Sequence, residues 1–404
     1  MTRLRIAHLI DLDRIGGVES MYASLIQAPV PEGWQVEHHT IADSLNLAPR
    51  FRPIVERCSR TLVSPKVWHG IKLPRRPAGL RARNRLAQIR AIRPDVVLAW
   101  NQFTDFHLSP DLGCPLIYYE HGMSWYEHAP AQLQGFLPYV DGAIAVSRAG
   151  QRMLQLKHGV SFPVHLCPNP LRADLHVTDA PVRCLPQDRP LRLGVAARLV
   201  PLKAVGLVVL ALKLLRQQGV DAELSIAGEG PERGAIERLI AREGLADHVR
   251  LLGLCDDMAG FYRSIDLFVM SSMHETMPLV CIESMAYGVP VIACMVDGLP
   301  EVVRDGQTGR CLTPTLDVSG YQALTGASVA FARRVYDPQQ DLLVETRMLA
   351  PEAIAEAVTA LASEPAGYQA MSAACLVEAA LPRYDQAQYL QQFYGLLADF
   401  ATKR

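Results

Sequence analysis

Short apolar runs, many rich in Val, Ile and Leu, alternate with helical patterns along almost the whole chain. In the first half, residues 4–10, 34–41, 96–100, 115–119 and 142–146 read as strands. In the second half the same reading applies to 191–196, 222–227, 249–252, 267–270 and 291–294. Helical patterns lie between them, for example at 204–217, 232–243 and 279–287. Strands that lack polar alternation are buried on both faces, so the pattern predicts parallel sheets with helices on either side. Proline, charge and polar residues at 167–190 interrupt the pattern and read as a linker. The expectation is an α/β chain: a Rossmann-like domain over 1–170, a linker over 171–190, and a second Rossmann-like domain over 191–383. Two segments fall outside this plan. Residues 315–349 carry polar turns and mixed charge and read as an insertion without an assigned task. Over 384–404, Tyr389, Phe393, Leu396, Leu397 and Phe400 form an apolar helical stripe that must be buried, with the first domain as the expected partner.

Composition narrows the classes. A chain of 404 residues, half of them apolar, can build two domains with proper cores. A formal net charge of −1 gives no global field, so no nucleic-acid partner is expected. Nine cysteines, an odd number without a Cys-x-x-Cys pair, read neither as a disulfide framework nor as a zinc site, and suit a reducing cytoplasm. Asp11 and Asp13 interrupt the N-terminal apolar run too early for a signal peptide, and no run reaches the ~18 residues of a spanning helix. The expected location is the cytoplasm, at most peripheral on the inner face of the plasma membrane.

In open parallel sheets, ligands bind beyond the carboxyl ends of the strands. The unusual polar residues of this chain fall there: Gly16 and Gly17, Glu120 with His121 and Gly122, Arg198 and Lys203, Gly228 to Pro231, and Glu275. Five such placements predict one cleft between the two domains. Gly16 and Gly17 open a helix and let backbone amides approach an anion. Arg198 and Lys203 offer a fork and a point charge suited to a diphosphate. His121 is placed to donate to a sugar hydroxyl or to stabilise charge near a departing group.

Residues 274–290 (HETMPLVCIESMAYGVP) put Glu275 in a loop and Glu283 inside a helix. Pro278 suits the first helical position and Gly288 the stop. The free amides of Leu279 and Val280 then become phosphate contacts. Helix rise contributes roughly 7–8 Å between the acids and the approach up to ~10 Å more. That exceeds the roughly 5–9.5 Å of a glycosidase pair and fits an elongated ligand held at two points.

Taken together, these motifs resemble the retaining GT-B-fold glycosyltransferases called family four. The resemblance extends through Asn169-Pro170, Leu252-Gly253, Asp266 to Val269 with Ser271-Ser272, Asp305-Gly306 and Thr308-Gly309. It implies two Rossmann-like domains facing across a cleft, with the C-terminal helix packed back on the first. It also implies transfer of a sugar from a nucleotide-diphosphate donor to a glycan or lipid-linked acceptor, with retention, without a metal ion and without a further cofactor. Under it, Arg198 and Lys203 grip the diphosphate and Glu275 contacts the donor sugar. Glu283 takes the ribose, Gly253, Leu254 and Cys255 the base, Met277 to Val280 the phosphate side, and His121 reaches the sugar. Glu120 is expected on the acceptor side. Ala197, Ala204 and Met277-Pro278 depart from the usual glycines and aromatics of the family, and residues 315–349 exceed its minimum.

A role in cell-surface polysaccharide or lipopolysaccharide synthesis is the expected setting. Lys72, Arg75, Arg76, Arg81, Arg83, Arg85, Arg90 and Arg93 have no acid among them, and suggest docking on anionic lipid at roughly 1 kcal/mol per basic residue near the surface. A nucleotide-sugar epimerase on the same architecture and a non-catalytic sugar-nucleotide-binding partner are the competing readings.

Overall fold

The computed structural model describes residues 1–77, 79–108, 111–177, 179–328 and 331–402. Its contacts divide the chain into two units, Met1–Asn169 together with the residues from 387 onward, and Pro170–Gln386.

The first unit is built on a seven-stranded parallel sheet. From one edge the strands run Leu62–Val63, Trp34–Ala42, Thr2–Ile10, Val96–Trp100, Leu116–Glu120, Gly142–Ala145 and Val164–Leu166. Val96–Trp100 and Leu116–Glu120 are buried at every position, as an uninterrupted apolar run requires. The strand order reverses between Thr2–Ile10 and Val96–Trp100, the place where such sheets open a crevice. The C-terminal helix Gln386–Thr402 buries Tyr389, Leu390, Phe393, Tyr394, Leu397 and Phe400. Tyr389 shares a hydroxyl hydrogen bond with Tyr119 (3.1 Å), and Gln391 accepts from the Trp34 indole (2.9 Å). Gly142 gives up its side chain to the Phe400 ring, which occupies the space a Cβ would need. The helix therefore packs on the first unit as its apolar stripe predicts.

The second unit carries a six-stranded parallel sheet in the order Val249–Gly253, Ala222–Ala227, Leu191–Ala196, Leu267–Met270, Val291–Cys294, Gly309–Leu312. Its order reverses between Leu191–Ala196 and Leu267–Met270. The helix Val205–Gln217, apolar almost all round, is buried between this sheet and the helix Pro351–Ala362.

Every strand expected from the sequence forms, with ends displaced by at most two residues. The strands Leu62–Val63, Val164–Leu166 and Gly309–Leu312 escape the pattern because two to four residues at a sheet edge show no periodicity. Residues 171–190 are not a free linker. Arg183 donates to the carbonyls of Tyr287 (3.1 Å), Arg263 (3.1 Å) and Tyr262 (3.0 Å), and its amide donates to Ser372 (2.7 Å). One guanidinium thus ties the segment to the second unit. No helix among the described residues is long and apolar enough to cross a membrane.

A polar relay runs through the core of the first unit. The Trp100 indole donates to His8 Nδ1 (3.0 Å), and His8 Nε2 pairs with His38 Nδ1 (2.9 Å). Indole nitrogen can only donate, so His8 is the neutral Nε2–H tautomer and donates a hydrogen bond to His38 Nδ1. Burial, with the neighbouring His39 adding to it, pushes His38 down to about 4. The unfolded chain, with histidine near ~6.5, therefore binds protons first as pH falls, and stability drops from there towards the folded value. Between pH 6.5 and 5, His38 alone removes about 2 kcal/mol. Urea unfolding followed by tryptophan fluorescence checks this. The midpoint should fall more steeply with acidification in the native protein than in His38→Gln.

Candidate functional site

In the second unit the site is assembled from loops that leave adjacent strands. Leu191–Ala196 leads into Ala197 to Ala204, and Ala222–Ala227 leads into Gly228 to Pro231. A Cβ on Gly228 would collide with the Ala197 carbonyl, and one on Gly230 with the Leu199 backbone. Leu199 donates to the Glu229 carbonyl (2.9 Å) and Glu232 to the Leu199 carbonyl (3.0 Å), so the two loops are laced backbone to backbone. This contact holds out Arg198, whose exposed guanidinium has no ion-pair partner among the described residues. Gly228 also donates to the Gly253 carbonyl (2.7 Å), which fixes the start of Gly253, Leu254 and Cys255. Leu254 stands 81% exposed there, an apolar surface at the strand end.

Lys203 and Glu275 are an ion pair, with side chains 20% and 12% exposed. Backbone bonds bring them together. Met273 donates to the Leu202 carbonyl (3.0 Å), and the Ser271 hydroxyl to the Lys203 carbonyl (2.8 Å). Glu275 is clamped on both sides: its amide donates to Asp297 Oδ2 (3.3 Å) and its carbonyl accepts from Gly298 (2.9 Å). Gly298 presses so closely on Thr276 that a Cβ would overlap that carbonyl. Asp297 is fully buried with φ +51°, and its carboxylate also accepts a hydrogen bond from His274 Nδ1 (2.7 Å).

Residues 315–349 thereby acquire a task. Tyr336, in the hairpin Arg334–Asp337 and Leu342–Glu345, donates its amide to Asp297 Oδ1 (2.7 Å) and accepts from the Asp297 amide (2.9 Å). The Tyr321 hydroxyl donates to the Pro201 carbonyl (2.9 Å). The segment thus braces both the Glu275 loop and the Lys203 loop.

The helix after Glu275 spans Leu279–Ala286, and Pro278 is its N-cap at φ −83°, ψ 82°, not its first helical residue. Leu279 donates to the Met277 carbonyl (3.1 Å), so its amide is engaged locally; the Val280 amide has no backbone partner among the described residues. Gly288, at φ +69°, ends the helix as expected. Glu283 is 4% exposed and accepts from the Tyr262 hydroxyl (2.7 Å). Burial raises its carboxyl above the usual range, against the opposing pull of that hydroxyl and of Arg172. The two acids of the segment thus differ in partner and in environment.

In the first unit the relevant residues follow three adjacent strands. Gly16, extended at φ −152°, caps the helix Gly17–Gln27, and neither glycine needs a positive φ. They open the helix with the Glu19 carboxylate of its first turn lying against Gly16, where a Cβ would collide with it. Glu120 is fully buried and accepts from Tyr118 (3.0 Å), the Ser124 hydroxyl (2.5 Å) and amide (3.3 Å), and Gly122. Instead of presenting an oxygen to an acceptor, it shapes its own turn. Asn101 Oδ1 completes that turn by accepting from His121 (3.0 Å) and Met123 (2.9 Å). The His121 ring stacks on Trp100 (5.6 Å between centroids, 18° between planes) and meets the edge of Tyr119 at 4.2 Å. Its Nε2 has no hydrogen-bond partner among the described residues, and burial pushes the ring down to about 3. His121 is therefore neutral at pH 7, so it can hydrogen-bond a hydroxyl but carries no charge to offset an anion.

Two family models match the chain: "Glycosyltransferase Family 4" over residues 15–175 and "Glycosyl transferases group 1" over residues 190–327. The chain belongs to the family-four, group 1 glycosyltransferases. It is 29% identical over 362 residues to a D-inositol 3-phosphate glycosyltransferase of Arthrobacter sp. (strain FB24), covering 80% of this chain and 82% of that one. It is 33% identical over 125 residues to the lipopolysaccharide core biosynthesis glycosyltransferase LpsE of Rhizobium meliloti (strain 1021), 31% of this chain and 34% of that one. With five other curated relatives the matched region spans a quarter to a half of the relative, from 24% to 48% of its length. Its fold is that of Anabaena Alr3699/HepE, solved in complex with UDP and glucose. That match has a TM-score of 0.71 at 18% identity over 98% of this chain and 100% of that one.

The sequence missed Asp297, Gly298, Tyr336, Tyr321, Tyr262, Asn101 and Trp100. Only the Asp297-Gly298 pair carried a local signal, an Asp-Gly turn dipeptide just after a strand. Ala204 is a departure with a cost: it sits at φ +50° in the left-handed region, fully buried, directly after Lys203. Ala204→Gly removes that strain, offset by the freer unfolded chain, and should stabilise the second unit by up to about 1 kcal/mol, or roughly 2–4 °C. Gly228→Ala should do the opposite and lose several kcal/mol, because the colliding atom is backbone. Calorimetric melting of both variants checks the pair of signs.

Proposed function

We propose that this chain transfers a sugar from a nucleotide-diphosphate donor to a glycan or glycolipid acceptor, with retention at the anomeric carbon and without a metal ion. The observation that carries the reading is the cluster at the strand-order reversal of the second unit. There Arg198, without an ion-pair partner among the described residues, stands on the loop whose Lys203 pairs with Glu275 of the loop after Leu267–Met270. An ammonium has three donors, so Lys203 can hold Glu275 and a phosphate oxygen together. Arg198 adds the planar fork that matches a second phosphate oxygen.

In this reading Glu275 accepts from hydroxyls of the donor sugar, and Val280 with the start of its helix faces the phosphates. Leu254 covers one face of the base, Glu283 takes the ribose, and neutral His121 hydrogen-bonds the sugar. As the anomeric C–O bond breaks, negative charge grows on the leaving diphosphate, where the two fixed cations gain most. The acceptor hydroxyl bonds to the anomeric carbon on the same face and passes its proton to the departing phosphate oxygen. No protein carboxylate has to act as nucleophile. The relative that bears an inositol phosphate name and the one in lipopolysaccharide core synthesis support a phosphorylated or lipid-linked acceptor.

A panel of nucleotide sugars, screened by thermal shift, identifies the donor. A cognate donor at a hundredfold excess over its Kd should stabilise the fold by about 2.7 kcal/mol. With that donor, Lys203→Ala and Arg198→Ala should each lower kcat by about 10²–10³; the melting point without ligand should barely move in Arg198→Ala and fall in Lys203→Ala, where Glu275 loses its ion-pair partner. Conversion of the donor sugar without any acceptor would establish the epimerase reading. Binding without turnover in the native protein would establish the non-catalytic partner.

A further inference from the structure

We infer that the hairpin Val67–Trp68 and Ile71–Lys72, with the cations around it, is a docking surface for an anionic lipid bilayer. Trp68 and Ile71 are directly cross-strand partners, and they stand 56% and 65% exposed. The turn between them is the two residues His69 and Gly70, both at positive φ (44° and 79°), so the pair lies at the tip of a tight hairpin. Both side chains stay more than half exposed at this tip, with the Trp68 ring edge-on to its neighbour His69 at 5.0 Å.

The hairpin is fixed at its base. Leu73 donates to the Lys66 carbonyl (2.8 Å), Asn84 to the Val67 carbonyl (2.8 Å), and Arg81 twice to the Leu73 carbonyl (3.2 and 2.7 Å). Those bonds attach it to the helix Gly79–Ile92, so the tip is presented rigidly. The structure also sorts the basic residues of this region. Arg85 turns inward over the Phe106 ring (4.5 Å), and Arg90 donates to the Asp111 carbonyl (3.3 Å). Lys72, Arg75, Arg76 and Arg83 are exposed and have no ion-pair partner among the described residues.

An indole and an aliphatic chain at a tip flanked by unpaired cations match the boundary between lipid headgroups and acyl chains. Tryptophan is favoured at that depth, and each nearby Lys or Arg strengthens binding to an anionic surface about fivefold. Beside the hairpin, Asp43, Ser64, Lys66, Lys72 and Arg81 line a cavity of about 500 Å³, in which Lys66 is ion-paired with Asp43 while Lys72 has no ion-pair partner among the described residues. A nucleic-acid strand would use the cations and the indole but leave Ile71 in water, so lipid fits the whole surface better.

Trp68 is itself the probe, because Trp100 and Trp125 are buried and Trp34 is partly covered. The full-length protein is mixed with vesicles of phosphatidylcholine alone or of phosphatidylcholine and phosphatidylglycerol in equal parts, and followed by sedimentation and by tryptophan emission. The expected result is binding to the phosphatidylglycerol vesicles only, weakened by salt, with a blue shift of the emission. Trp68→Ala with Ile71→Ser should abolish the shift and lower partitioning at least tenfold. Arg75→Glu with Arg76→Glu should lower it at least twentyfold, and both double variants should melt like the native protein. The inference is overturned by native protein that ignores anionic vesicles, by hairpin variants that bind as well as native, or by a short single-stranded oligonucleotide that binds the hairpin and displaces the vesicles.

Discussion

The chemistry of the second unit rests on one constraint: two loops leaving adjacent strands must touch backbone to backbone. Gly228 and Gly230 allow it, since a single methyl at either position would overlap the carbonyls of Ala197 or Leu199. The gain is mutual satisfaction of amides and carbonyls that would otherwise be stranded at a sheet edge. A loop held in this way keeps Arg198 in place without any side-chain partner, which leaves the guanidinium available. The same device recurs where Gly298 presses on Thr276, so Lys203 and Glu275 also sit on loops fixed from behind.

Around this scaffold, charge is handled in two ways. At the strand ends of the second unit, Lys203 is paired once and Arg198 has no ion-pair partner among the described residues, as binding an anion requires. Deeper in, carboxylates are given over to structure. Asp297 serves His274, Glu275 and Tyr336 at once, and Glu120 closes the turn that carries His121. A fully buried carboxylate is tolerable only when its oxygens are satisfied, and both meet that condition. In the first unit the Trp100–His8–His38 relay places a neutral aromatic wall behind His121, which keeps that ring uncharged and oriented.

Some of this was legible in the order of residues. Continuous apolar runs betrayed each long strand, and polar residues directly after them marked Arg198, Lys203, Glu275 and His121. Those signals are local, spanning a handful of positions. Asp297 reaches Tyr336 across 39 residues and Pro201 reaches Tyr321 across 120, and no periodicity links such positions. For that reason residues 315–349 looked like an ornament although they brace the site. Glu120 misled for a related cause: its neighbours in sequence suggested a solvent-facing loop, whereas its strand runs inside the sheet.

By itself, then, the sequence determined the α/β architecture, the two parallel sheets, the stripe on the C-terminal helix and the identity of the accessible cations, because each is written in local pattern and residue type. Only the tertiary structure decided which acids are buried and which stay open, where Pro278 caps its helix, and which arginines of the basic region remain free. Those outcomes depend on burial and on partners distant along the chain. Such distances in sequence carry no local signature until the chain has folded.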